Sequence, residues 1–598
     1  AVLLTGLHTT RLWDQDEGYF ASTAAEMHAQ GDWIVPTFNG ELFGHKPPWM
    51  YWMMMIGYEL FGTSEFAARI LTAVFGVATC LLTYHLGRRV FTAQAGWWAG
   101  LVMASCLMFN FVSRAATPDT YLTFFSTLAL YLFAVTGPYR ARPETSSTSE
   151  VAPSLSDVLP QRWTHFVAIY AAMGVATLVK GPIGFLFPMA VIGLFLLCTT
   201  PRRELDASAP RWRQWFEALR PFGPVNFFQT IWRMRIFTAI AVILLVAGPW
   251  YIAVGWKTNG VFLQEFFGVH HFHRFSTPMD SHKGPFYYYI VSILVGMFPW
   301  SVFALPTFLL VIRHLRTSAS SQRGLLLMTC WASVYVVIFS LASTKLPNYI
   351  LPAYPALAVL AAYFYQYWID NPASVHRFWP RIALGILALV GMLGLIGLPL
   401  AGAWQWNGQT LLDRVGLASD VQSQLAWFGL VGAPATIAGC YALYLAEQGR
   451  SAAAVKCIAW TGVLSIFGVW NIAAPQIAHH QINGRIGAAI QQHVTEASPQ
   501  IAEFGYFPPS LSFYVRHRID PCSDKEATQQ FMEDAGPKLL ITTTDGYESL
   551  KGTLHEDVAV VEKLDRFPEK GQIVILYKGG SSPQRTAHSP SKSEPPIR

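Results

Sequence analysis

The segment Trp13-Asp14-Gln15-Asp16-Glu17-Gly18-Tyr19-Phe20 sets three carboxylates, Asp14, Asp16 and Glu17, within four positions. Carboxylates this crowded can shift one another's protonation, act as a general base toward a hydroxyl, or hold a cation; the bland reading is an ordinary solvated loop. Glu41, His45 and Lys46 follow in GELFGHKPPWMYW, where polar groups run straight into an aromatic, Met-rich stretch suited to an amphiphilic substrate. Asp119 comes directly after Pro118 in SRAATPDTYLTFF, close behind Arg114. A carboxylate there is often only a helix N-cap, but a charge at the edge of an apolar span is costly and usually turns inward toward a site. Lys180 in VKGPIGF and Lys345 in STKLPNYILP each end an apolar run just ahead of a proline. Either lysine could reach out to lipid phosphates; together with Lys46 they could also line an anion pocket. The stretch FFGVHHFHRFSTPMDSHKGPFYYY adds His270, His271, His273, Arg274, His282 and Lys283. Isolated histidines are more often structural than ligating, yet His271 with Glu41 and His45 could hold a divalent metal ion or phosphate, and Arg274 suits a bidentate phosphate contact.

These side chains need a scaffold, and composition identifies its solvent. Of 598 residues 52% are hydrophobic and 13% charged, against about 25% charged in a soluble domain. Lipid is therefore the main surrounding. The 21 Trp, 24 Tyr and 40 Phe suit interfacial belts and lipid-facing surfaces. A net charge of +6, mostly arginine in short loops between apolar runs, is a topology signal rather than a nucleic-acid footprint. There is no GxxxxGK[ST] loop, so no nucleotide is implied. Of the seven cysteines only Cys522 lies outside or away from the apolar runs, so neither a disulfide framework nor a Cys-rich metal site can be built.

The apolar stub AVLLTGL is too short to cross a bilayer and reads as the end of a first membrane helix. With the apolar stretches between 66 and 475 it predicts about thirteen transmembrane helices, since ~20 apolar residues cross a bilayer. Loops carrying Arg88 and Arg89, Arg140 to Arg162, Arg202 to Arg235, Arg313 to Arg323, Arg377 and Arg381, and Arg450 are cytoplasmic by the positive-inside rule. The opposite set, 8–65, 113–119, 180–182, 255–285, 343–348, 404–425 and everything after 476, faces outward and holds the candidate residues. Residues 200–235, with Trp212, Trp215, Phe227, Phe228 and Trp232 among arginines, predict an interfacial amphipathic stretch. After about 496 the short runs IAEFGYF, KLLITTT, VAVVEKL and QIVILYK predict a small soluble α/β domain. The organisation expected is a transmembrane domain over 1–475 with a first outer loop at 8–65, an outward α/β domain over 476–580, and a tail over 581–598 too poor in apolar residues to fold.

Taken together, DEGYF at 16–20, GDWIVPTFNGELFGHKPP at 31–48, TPD at 117–119, VKGP at 179–182, HRF at 273–275, KGPFYYY at 283–289 and STKLPNYILPAYP at 343–355 resemble the GT-C superfamily of polyprenyl-phosphate-sugar glycosyltransferases, in the branch holding protein O-mannosyltransferases and the lipid A aminoarabinose transferase. The resemblance covers residues 1 to about 475. It implies an all-α polytopic membrane fold with amphipathic juxtamembrane helices in the first outer loop, sited in the bacterial inner membrane. It also implies an inverting transfer at the periplasmic face, from a polyprenyl-phosphate sugar to a lipid or protein acceptor. Asp16 matches the key catalytic acid beside Glu17, Asp119 the second functional acid, and Lys46, Arg274 and Lys345 the donor-phosphate or lipid-site residues, with Lys180 in the same anion pocket. One position departs from the pattern: Tyr19 stands where many aminoarabinose transferases have Arg. The rival from another class is a transporter or flippase; those tend to place ionisable residues near mid-membrane within repeats, whereas here the charges gather at one face.

Overall fold

The computed structural model describes residues 2–139, 158–200, 210–273, 284–317, 322–406, 409–410, 427–566 and 571–579, apart from 211, 213–216, 218, 479, 498 and 556; side chains at 269–273 lie outside the description. The expected tail at 581–598 also lies outside it.

Local sequence sets the ends of the early elements. Helix α1, Asp16–Gln30, opens with Asp16 and Glu17 in its first turn, where the positive end of the helix dipole favours carboxylates. It stops at Gly31, whose left-handed φ of 68° lets its N–H close on the His28 carbonyl. Strands β1, Thr37–Phe38, and β2, Glu41–Leu42, pair across Asn39 and Gly40, both at positive φ. That Asn-Gly pair is the turn whose twist matches a two-residue hairpin. Helix α2, Trp49–Phe61, leads to α3, Glu65–Val90, capped by the Ser64 hydroxyl, and then to α4, Ala93–Ser105, capped by Thr92.

After α5, Leu107–Val112, come α6, Asp119–Thr136, α7, Trp163–Lys180, and α8, Ile183–Cys198. Pro118, not Asp119, occupies the N-cap position of α6, so the capping role considered for Asp119 is not the one it fills. Gly181 ends α7 with φ 73° and ψ −149°, a conformation a Cβ disfavours. With Pro182 heading α8, it turns the chain back at once, and Gly184 then packs where a Cβ would strike the Ala176 backbone. Lys180 is thereby held at the very end of its helix.

Among the described residues eight helices are long and apolar enough to cross a membrane, or nine if the bent pair Tyr288–Gly296 and Trp300–Arg316 counts as one. The apolar runs behind the expected thirteen include shorter pieces. The run at 94–112 breaks at Cys106 between α4 and α5, α8 has 16 residues, and the helix Tyr354–Asp370 has 17 after the 3-10 segment Pro347–Ala353. The first unit, residues 1–481, is knitted by buried aromatics such as Trp300, Trp331, Tyr354 and Tyr365. The second unit begins at Ile482 and contains a five-stranded sheet in the order Ile519–Pro521, Gln500–Phe504, Lys538–Thr543, Gln572–Lys578, Val558–Asp565. Its first three strands are parallel and its last two pairings antiparallel.

Candidate active site

Helix packing brings two cavities to the end of α6 and α7 where Asp119 and Lys180 meet. One, of about 890 Å³, is lined by Asp14, Asp16, Glu17, Arg69, Arg114 and Asn348 among others. The second, of about 490 Å³, is largely apolar, with Lys46 and Lys180 set among Leu122, Phe187, Phe339 and Tyr349. The loop after the helix Gln322–Leu341 is a wall common to both: it contributes Leu346 and Asn348 to the first cavity and Thr344 and Tyr349 to the second.

Between them runs a chain of polar contacts. Lys180 Nζ donates to Asp119 Oδ1 at 2.5 Å, and Asn348 Nδ2 donates to Asp119 Oδ2 at 2.9 Å. Asp119 is only 2% exposed. A buried carboxylate needs such a partner, because desolvation without one is prohibitive. Lys180 also lies 4.6 Å from the centre of the Tyr349 ring, leaving its charge at the edge of the apolar cavity.

Glu17 and Asp16, adjacent in sequence, have separate fates. Glu17 is buried and all four of its carboxylate acceptor sites are engaged: Oε1 accepts from Arg69 Nε and the Ala116 N–H, and Oε2 from an Arg69 terminal nitrogen and the Trp13 N–H. Arg69 in turn donates to the carbonyls of Leu7, Thr10 and Arg11. Glu17 thus lines the larger cavity with its carboxylate already engaged by the protein. Asp16, one residue earlier, is exposed and faces the larger cavity. Arg114 borders the same cavity: one terminal nitrogen donates to the Val2 carbonyl at 2.9 Å, and its guanidinium stacks 4.2 Å from the Trp470 ring centre. Burial and the neighbouring Arg69 push Arg114 down to about 10.

The remaining expected residues are placed as follows. Lys345 donates to the carbonyls of Ser340 and Ala342 at 2.7 and 2.8 Å, closing the carboxyl end of the preceding helix, and lines neither cavity. His45 stacks on Phe43 at 3.9 Å between ring centres, and Tyr19 packs against both Phe43 and His45. Glu41 is exposed on β2. No group of three or more metal-ligating side chains assembles among the described residues. Arg274 and the His271 side chain lie outside the described residues. The sequence reading assigned no role to Arg69, Asn348 or Trp470. Arg69 did carry a signal, an arginine set among apolar residues one turn into α3.

What brings Lys46 to Lys180 is packing of the first outer loop. Ile34, Leu42, Trp49 and Trp52 press against a cluster of Leu178, Trp250, Val254, Phe262 and Phe266. Trp52 and Trp250 donate to the carbonyls of Trp33 and Ile34.

Compared with solved structures, the chain is similar over 98% of its length, and over 97% of the other chain, to ArnT from Cupriavidus metallidurans bound to undecaprenyl phosphate, with a TM-score of 0.73 at 22% identity. The chain shares the fold of that protein. A family model described as dolichyl-phosphate-mannose-protein mannosyltransferase matches residues 45–137 of the chain. Undecaprenyl phosphate-alpha-4-amino-4-deoxy-L-arabinose arabinosyl transferases are similar too. The one from Erwinia tasmaniensis is 29% identical over 60% of the chain and 56% of its own length. The one from Edwardsiella ictaluri is 28% identical over 68% of the chain and 66% of its own length. The matches thus span somewhat less than two thirds of these relatives. A protein of Aquifex aeolicus is 27% identical over 63% of the chain and 65% of its own length.

Proposed function

We propose that this chain is a membrane glycosyltransferase of the GT-C type that moves a sugar from a polyprenyl-phosphate donor to a lipid acceptor of the lipid A type. The observation that carries this reading is the pair of cavities, one apolar with two lysines and one polar with an exposed carboxylate, joined by Lys180, Asp119 and Asn348. The apolar cavity takes the first isoprene units of the donor, and Lys46 and Lys180 hold its phosphate. As the bond between the sugar's anomeric carbon and the phosphate oxygen breaks, negative charge grows on the leaving phosphate. Fixed ammonium groups stabilise it, a contribution that is usually the largest in such reactions. Asp119 holds the Lys180 ammonium in place through its hydrogen bond.

The acceptor enters the larger cavity beside Asp16. An acceptor hydroxyl gives its proton to Asp16 as its oxygen bonds to the anomeric carbon; an already ionised acceptor phosphate needs only orientation. Attack from one cavity with departure into the other inverts the sugar. The Arg114 guanidinium in the acceptor cavity favours an anionic acceptor, and the names of the arabinosyl transferase relatives point the same way. In this reading Arg274 also contacts the donor phosphate, and Lys345 secures the loop that walls both cavities.

The reading also places the protein in the bacterial inner membrane with about thirteen crossings, counting helices near or below the ~20-residue span length. The two cavities and the second unit face the periplasm, because the arginine-rich loops lie at the other ends of the helices. The family model that matches residues 45–137 favours a second acceptor, a protein hydroxyl. The deciding experiment supplies purified protein with undecaprenyl-phosphate aminoarabinose or dolichyl-phosphate mannose, and with lipid A or a hydroxyl-bearing peptide, and follows transfer. Asp16→Asn is expected to retain donor binding and to lose transfer; transfer at the normal rate removes the role given to Asp16.

A further inference from the structure

A third cavity lies at the opposite end of α7 from Lys180. Trp163 starts that helix of 18 residues and Lys180 ends it, a length of ~27 Å at 1.5 Å per residue, close to the hydrocarbon thickness of a bilayer. At the Trp163 end the helix Pro224–Arg233 meets the helix Ile236–Lys257 through Met234 and Arg235. The cavity between them, of about 490 Å³, is lined by Phe166, Trp232, Arg233, Arg235 and Phe237 among others.

The junction is rigidly held. The Tyr170 hydroxyl donates to the Met234 carbonyl, and Trp163 Nε1 donates to Thr238 Oγ1 at 3.3 Å. Arg235 adopts a left-handed backbone with φ 53°, and its guanidinium stands 5.3 Å from the Phe166 ring centre. Both arginines are exposed, and neither forms an ion pair among the described residues. The helix Pro224–Arg233 turns Val225, Phe227, Phe228 and Trp232 outward, between 48% and 71% exposed, as an interfacial helix does. Trp163, also exposed, adds to an aromatic belt at that depth.

We infer that this cavity binds the headgroup phosphate of an anionic phospholipid, on the membrane face opposite the two reaction cavities. Two guanidiniums with no carboxylate between them among the described residues, walled by aromatic rings at interfacial depth, match a phosphodiester whose acyl chains continue down the exposed flanks of the helix Ile236–Lys257. The site makes no use of the proposed transfer chemistry, so its failure and the failure of that reading are separable.

The test is native mass spectrometry of the purified full chain with phosphatidylglycerol or phosphatidylcholine, and with millimolar inorganic phosphate as competitor. Wild type is expected to retain phosphatidylglycerol in preference to phosphatidylcholine. The Arg233→Gln/Arg235→Gln variant should lose that preference by about fivefold per arginine, while Arg233→Lys/Arg235→Lys retains most of it. Should the double Gln variant fail to fold, Arg233→Gln alone, at an exposed helix end, is expected to show a loss of about fivefold. Undiminished preference in a folded Gln variant overturns the proposal, and displacement of the lipid by inorganic phosphate assigns a free-anion site in its place.

Discussion

Lys180 and Asp119 close an ion pair of 2.5 Å between the last residue of α7 and the first of α6. The pair occupies the boundary between an apolar cavity and a polar one. Asp119 is more deeply buried than its partner, so the carboxylate is satisfied within the protein while the ammonium keeps a surface toward the apolar cavity. Removing either group therefore has unlike consequences.

Lys180→Gln takes away a charged phosphate donor and leaves Asp119 with Asn348 alone. A hydrogen bond to a charged group contributes ~1.5–3 kcal/mol, so kcat/KM for the polyprenyl-phosphate donor should fall by about 10- to 150-fold. Lys180→Arg should recover part of it. Steady-state kinetics with varied donor measure both, and an unchanged kcat/KM for Lys180→Gln removes the lysine from the phosphate site.

Glu17 and Arg69 make the best test of positioning against chemistry. Breaking a buried ion pair from one side costs ~3–5 kcal/mol because the other charge is stranded. Glu17→Leu and Arg69→Leu should each lower the melting temperature in detergent markedly, and the double substitution should be less destabilised than the sum of the two. Additive losses contradict coupling between them.

Gly181→Ala puts a Cβ on a backbone with φ 73°, a strain of order 1–3 kcal/mol. Since this residue aims Lys180, the substitution should raise KM for the donor more than it lowers the melting temperature of the chain. Wild-type KM with reduced stability would show the turn to be structural alone.

Glu26 of α1 accepts from the turn N–H groups of Asn39 and Gly40 at 2.5 and 3.2 Å. Burial raises its pKa above the usual carboxylate value of 4.5, with those two hydrogen bonds opposing. The folded loop then binds the proton more tightly than the unfolded chain, so the stability contribution is full below 4.5 and declines as pH rises through the raised value. Hydrogen exchange in the hairpin should therefore quicken, once corrected for intrinsic rates, as pH rises from about 4 to 7. Glu26→Gln should flatten that dependence; an identical slope in the variant assigns the effect elsewhere.

Residue types and their order already determined much of this protein. Apolar runs long enough to leave water, the arginines in alternate loops, and the proline-flanked charges at span ends made a polytopic membrane chain legible, because hydropathy and charge act locally along the chain. Asp119 and Lys180 could be picked out on the same ground, each a charge at the edge of an apolar run, whereas Asp16 and Lys46 stood out through the polar cluster of the first loop and the motif resemblance. The partnership of Asp119 with Lys180, the pairing of Glu17 with Arg69, and the arrival of Asn348 and Trp470 at the larger cavity were decided only by tertiary structure. A carboxylate's role depends on which donors surround it, and those donors come from helices 50 to more than 200 residues away, at distances that sequence spacing does not encode.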